Sequence, residues 1–127
     1  IVDQFLQLQN IIKDKITNVV FMGMGEPFLN YENTMSAANL LHHPKGVNMG
    51  AWRITISTAG IIKKIKQFAD DGHPFKLAVS LNGSNEKQRL ITMPITKAQS
   101  FSELLEASQY YTFKFQYFLL SKEMLHK

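Results

Sequence analysis

The chain has 127 residues, 45% apolar and 19% charged, a globular composition that suits one domain or part of one. It contains no cysteine, which excludes disulfides, thiolate metal sites, thiol nucleophiles and a cysteine-held iron–sulfur cluster from the chain itself. The formal charge of +4 suits a nucleic-acid partner without requiring one, and no apolar run reaches the roughly 20 residues of a membrane span.

The first residue is Ile1, helical periodicity starts at once, and the chain reads as a piece of something longer. No signal-peptide pattern opens it, so a cytoplasmic setting is expected. Ile1, Phe5, Leu8 and Ile12, flanked by Val2, Leu6 and Ile16, predict an amphipathic helix over residues 1 to about 15. Asn18–Met22 is a continuous apolar run ending in glycine, the pattern of a strand buried on both faces. Tyr31, Met35, Ala38 and Leu41 mark a second helix, terminated by His42–Gly46.

The unit then recurs. Arg53–Thr58 is rich in β-branched residues and predicts a strand. Ile61, Ile65, Phe68 and Ala69 give a helix that stops at Asp70–Gly72, and Phe75–Leu81 is a third strand. Asn85 to about Leu90 predicts one or two helical turns before Pro94. Ser100 and Glu103 form a capping box for a helix whose inner face carries Phe101, Leu104, Leu105 and Ser108. Tyr111, Phe113, Phe115 and Tyr117 alternate with polar residues ahead of Phe118–Leu120, which predicts a fourth strand.

Strands alternating with helices define an α/β class of parallel βαβ repeats. Right-handed crossovers leave an open doubly wound sheet or an incomplete (β/α) barrel. Both place ligands at the carboxyl edge of the strands, here Gly23–Asn30, Ser57–Gly60, Ser80–Asn85 and the segment from Ser121 onward.

Gly23–Pro27 is not a dinucleotide fingerprint, because Phe28 replaces the third glycine and Pro27 removes an N–H where a pyrophosphate needs one. Two readings stand: a tight turn with a solvated Glu26, or a set of carbonyls and a carboxylate that accepts from an ammonium. Ser57–Gly60 reads either as a helix N-cap or as donors to a carboxylate or phosphate. Ser80–Asn82 offers a hydroxyl and an amide to a ribose or carboxylate, or else caps its own loop. Together, three strand ends carrying small polar groups fit a polar ligand bearing an amino acid. His42, His43, His73 and His126 lack metal-ligand spacing, and no metal site is expected. Lys63, Lys64 and Lys66 read as a solvated helix face, and the aromatic alternation as core packing rather than base stacking.

Asn18–Pro27 with Leu29–Asn30, then Ile54–Ile61, Leu77–Leu81 and Met93–Ile95, occur in that order. They resemble the RlmN/Cfr family of radical SAM RNA methyltransferases over nearly the whole chain. The resemblance implies an incomplete (β/α) barrel of radical SAM type, with residues 1–127 forming part of one such domain. It implies methylation of an adenine of large-subunit ribosomal RNA and, in RlmN members, of tRNA. Gly25 and Glu26 would contact the amino end of S-adenosylmethionine, Ser57 its carboxylate, and Ser80, Leu81 and Asn82 its ribose and methionine portion. The family's [4Fe–4S] cluster would have its cysteine ligands just before Ile1, and its methyl-carrying cysteine would lie beyond Lys127. No catalytic residue is expected within the chain itself. Asn82 stands where histidine is usual, Thr96 where asparagine is usual, and Gln116 where a Glu-Tyr pair is common. The alternatives are a non-catalytic barrel that binds RNA or a protein, and a different radical SAM enzyme.

Overall fold

The computed structural model describes residues 1–93 and 99–125, with side chains through Gln116. Three parallel strands, β1 (Val19–Phe21), β2 (Ile54–Thr58) and β3 (Lys76–Val79), form an open sheet in the order β1-β2-β3. The central strand carries the most burial: Ile54 and Ile56 are fully enclosed, and Ser57 and Thr58 are buried with them. This is what a β-branched run gains from neighbours on both sides.

Contacts divide the chain into two compact units, Ile1–Thr58 with Phe75–Ala78, and Ala59–Pro74 with Val79–Lys127. In the first, α1 (Val2–Ile11) and α2 (Tyr31–His42) accompany the sheet, and a 3-10 helix at Pro27–Asn30 leads into α2. The helical spacing of Tyr31, Met35, Ala38 and Leu41 is realised as one buried stripe, joined by Phe28 and Thr34. The Thr34 hydroxyl donates to the Pro27 carbonyl, tying the 3-10 turn to the helix. His42 places Nδ1 2.8 Å from the Met49 carbonyl, and its ring stands edge-on to Phe75.

Two expectations for this unit are corrected. The first helix ends at Ile11 rather than near residue 15, because Gln9 folds the following chain back. Its Oε1 accepts the Ile16 N–H and its Nε2 donates to the Asp14 carbonyl. Of this helix only Phe5 is buried. β1 is also not buried on both faces: it is an edge strand, with Val20 50% exposed and Phe21 enclosed. An apolar run shows that a strand is hydrophobic, not how many neighbours cover it.

The second unit contains α3 (Ile62–Asp70), α4 (Glu86–Thr92) and α5 (Phe101–Leu125). Ile65 and Phe68 of α3 pack against α5, where Leu104 and Ala107 are buried. The capping box forms: the Ser100 hydroxyl accepts the Glu103 N–H, and the Glu103 carboxylate accepts the Ser100 N–H. The Ser100 hydroxyl also donates to the Glu103 carboxylate at 2.8 Å, and this bond, with that from the Ser100 N–H, holds the carboxyl below its ordinary pKa.

The predicted fourth strand is helix instead. Tyr111 and Phe115 are four residues apart, so the letters that alternate along a strand also stack along a helix. Their rings lie 5.5 Å apart, and Tyr111 reaches Phe68 of α3 at 5.8 Å. Phe113, which a strand would have placed beside them, is 69% exposed. Ser108 and Thr112 return their hydroxyls to the carbonyls one turn back, which satisfies them inside a helix. Leu105 also faces outward rather than inward. Among the described residues no helix is long and apolar enough to cross a membrane.

Candidate S-adenosylmethionine site

β1 and β2 run parallel in the register Val19↔Ile54, Val20↔Thr55, Phe21↔Ile56. The Gly23–Glu26 loop and the pair Ser57–Thr58 therefore emerge at the same carboxyl edge of the first unit. Gly25 adopts φ +123°, a region that side chains rarely tolerate, and a Cβ built there would meet nothing within 4 Å. The backbone thus needs glycine for its turn and faces open space. Glu26 is half-buried rather than a freely solvated side chain. Its Oε1 accepts the Phe28 N–H at 3.0 Å, capping the 3-10 helix in which Pro27 takes the first position.

Ser57 is 6% exposed, and its hydroxyl has no hydrogen bond to another side chain or loop group among the described residues. The N-cap reading of this segment is not realised. α3 begins after Ile61, and the Ile62 N–H is taken by Gln99 Oε1 at 2.8 Å. Leaving a buried hydroxyl unpaired costs about 1–3 kcal/mol, which makes Ser57 a place for a ligand acceptor. Carbonyls, a carboxylate and a buried donor at one strand edge fit the ammonium and carboxylate of an amino-acid tail. The chain contains no thiolate, so it does not fit the ligand set of an iron–sulfur cluster.

In the second unit Ser80, Leu81 and Asn82 follow β3. Asn82 lies at φ +49°, a left-handed conformation that asparagine tolerates better than most residues. Its carbonyl accepts from the Thr92 hydroxyl, and its Nδ2 lies 3.2 Å from Met93 Sδ. Asn85 caps α4 by accepting the Gln88 N–H.

The residue that sequence reasoning missed is Arg89. It is 2% exposed, and its guanidinium donates from Nη1 to the Ser80 and Leu81 carbonyls and from Nη2 to the Ala59 carbonyl. Among the described residues no carboxylate pairs with it, and burial lowers its pKa from the ordinary value. Arginine one turn past the Asn85 cap was the available signal; on a short helix it reads as a surface charge.

The other predicted segments do not join the edge. Ser121 lies within α5, not after a strand, and Gln116 is an exposed residue of the same helix. Pro94, Ile95 and Thr96 lie outside the described residues. Lys63 and Lys66 are exposed, while Lys64 donates to Gln67. The His73 ring packs tilted against Phe68, with centroids 5.4 Å apart.

No family model matches the chain. A crystal structure of a radical SAM methyltransferase from Sphaerobacter thermophilus superposes with a TM-score of 0.83 and 37% identity, over 91% of this chain and 35% of that one. The fold is therefore of the radical SAM methyltransferase class.

Curated relatives narrow it further. Proteins described as "Probable dual-specificity RNA methyltransferase RlmN" match from several bacteria. That of Leptospira interrogans is 49% identical over 112 residues, 88% of this chain and 32% of the relative. That of Lysinibacillus sphaericus is 42% identical over 97% of this chain and 35% of the relative. That of Aquifex aeolicus is 46% identical over 87% and 33%. The chain belongs to the RlmN-type family of radical SAM RNA methyltransferases, and it spans about a third of the length of these relatives.

Proposed function

We propose that this chain is part of one radical SAM (β/α) barrel and the S-adenosylmethionine-holding portion of a cytoplasmic RNA methyltransferase. The substrate is an adenine of large-subunit ribosomal RNA, and of tRNA. The observation that carries the reading is the buried Ser57 hydroxyl, unpaired among the described residues, at the strand edge that also bears the open Gly25 turn. It stands beside the identity to the RlmN relatives.

In this reading the Gly25 backbone and the Glu26 carboxylate accept from the cofactor's ammonium. Ser57 donates its hydroxyl to the carboxylate. Ser80, Leu81 and Asn82 line the ribose and methionine portion. Burial around Ser57 excludes water from that bond and so strengthens it. When bound, S-adenosylmethionine supplies the methyl group, and a [4Fe–4S] cluster held by residues outside this chain supplies an electron. The residues present orient the sulfonium nucleotide, and the difficult chemistry belongs to the bound groups.

The test uses the full-length protein, reconstituted with iron and sulfide under anaerobic conditions. Methyl transfer to an adenine in a ribosomal RNA fragment or tRNA is expected, with loss of cofactor binding in Glu26→Ala. Cofactor cleavage with no RNA methylation would favour a different radical SAM enzyme. Absence of cofactor binding would favour a non-catalytic barrel.

A further inference from the structure

We infer that Arg89 is the positioning residue that fixes two loops, Ala59–Gly60 after β2 and Ser80–Asn82 after β3, in the arrangement that receives S-adenosylmethionine. The inference rests on the cofactor site proposed above and adds to it a residue outside the strand edge.

The guanidinium is buried, yet it touches no acidic side chain among the described residues; its hydrogen bonds go to three main-chain carbonyls. Two of those carbonyls, of Ser80 and Leu81, belong to residues that would meet the cofactor. The third, of Ala59, lies two positions beyond Ser57. A surface arginine would gain nothing from such an arrangement. A planar fork with several fixed donors can bind carbonyls from two separate segments at once, whereas an ammonium is a single point of charge. Sequence separation makes the same point: Arg89 reaches back eight and nine residues to one loop and thirty to the other. α4 delivers it, and the Asn85 cap sets the start of α4. Gly60 makes room for it, since a Cβ there would stand 3.1 Å from Nη2.

Both loops lose the same anchor when the fork is removed, so they should loosen together. Arg89→Lys and Arg89→Gln in the full-length, reconstituted protein test this, with S-adenosylmethionine titrated calorimetrically and amide exchange followed by mass spectrometry. Arg89→Lys should fold, bind the cofactor about tenfold more weakly, and exchange faster at residues 59–61 and 80–83 together. At saturating cofactor its turnover should stay within about threefold of wild type, a loss in KM rather than kcat. A purely structural role would lower the melting temperature and leave the affinity of the folded protein unchanged. Wild-type affinity in a folded Arg89 variant, alongside loss of binding in Glu26→Ala, overturns the inference and leaves the site standing. Wild-type affinity in both Glu26→Ala and Ser57→Ala removes the site itself. Should both Arg89 variants fail to fold, Asn85→Ala loosens the helix that carries Arg89 without deleting the charge. Faster exchange at both loops then supports the inference, and faster exchange confined to α4 overturns it.

Discussion

Gly60 and Arg89 occupy adjoining space. A Cβ on Gly60 would approach Nη2 of Arg89 to 3.1 Å and Cδ1 of Leu104 to 2.8 Å, and the backbone there has φ +109°. Alanine would meet both a crowded neighbour and a conformation that L residues rarely adopt. Gly60→Ala should therefore destabilise the protein by about 2–4 kcal/mol. An unchanged thermal midpoint in the full-length protein would show that the loop has slack the structure does not show.

Ser57 should separate affinity from stability. Its hydroxyl is buried without a partner among the described residues, so Ser57→Ala should leave the melting temperature unchanged or slightly raised. Binding of S-adenosylmethionine should weaken by about tenfold or more, as loss of a hydrogen bond to a charged acceptor requires. Calorimetry on the same preparation reads both. A large drop in stability with intact affinity would assign the hydroxyl to the core.

The C-terminal helix offers a direct comparison of two aromatic residues. Tyr111→Ala removes the ring between Phe68 and Phe115 and should cost about 1–3 kcal/mol. Phe113→Ala, on the exposed side, should stay within about 0.5 kcal/mol of wild type. Equal losses would mean that the two rings share a face, as they would in a strand.

A pH effect follows from Asp70. The Tyr110 hydroxyl donates to it at 2.6 Å, Lys114 stands 3.4 Å away, and these hold the carboxyl below its ordinary 3.8. A carboxylate with a lowered pKa contributes stability that is fully present above the ordinary value and is lost as pH falls through the folded one. Tyr110→Phe should flatten that acid loss. The group is exposed, so the difference should be no more than about 1–2 °C in midpoint below pH 4. Identical acid limbs in the two proteins would remove Asp70 as a contributor.

The capping box supplies a simpler measurement. Ser100→Ala deletes the acceptor of the Glu103 N–H and should cost about 1 kcal/mol. The matching loss in Glu103→Gln should be smaller, because an amide oxygen still accepts the Ser100 N–H. A larger loss in Glu103→Gln than in Ser100→Ala would show that the carboxylate's charge, not the reciprocal bonds, holds the helix start.

Much of the fold was already present in local pattern. A β-branched run specified β2, helical periods specified α2 and α3, and Ser100 with Glu103 announced the start of α5. These are interactions between residues a few positions apart, which a sequence displays directly. The strand-edge motifs and their order likewise identified the family from residues alone. Three matters needed tertiary contacts. The aromatic run from Tyr111 obeys both periods, and Phe68 on another helix selects one of them. The exposure of β1 depends on its place in the sheet rather than on its composition. Arg89 looks like any charged residue of a short helix until Ala59, Ser80 and Leu81 surround its guanidinium. Each of these depends on groups brought together across long stretches of chain, where burial and hydrogen-bond geometry carry the energy and adjacency in sequence carries none.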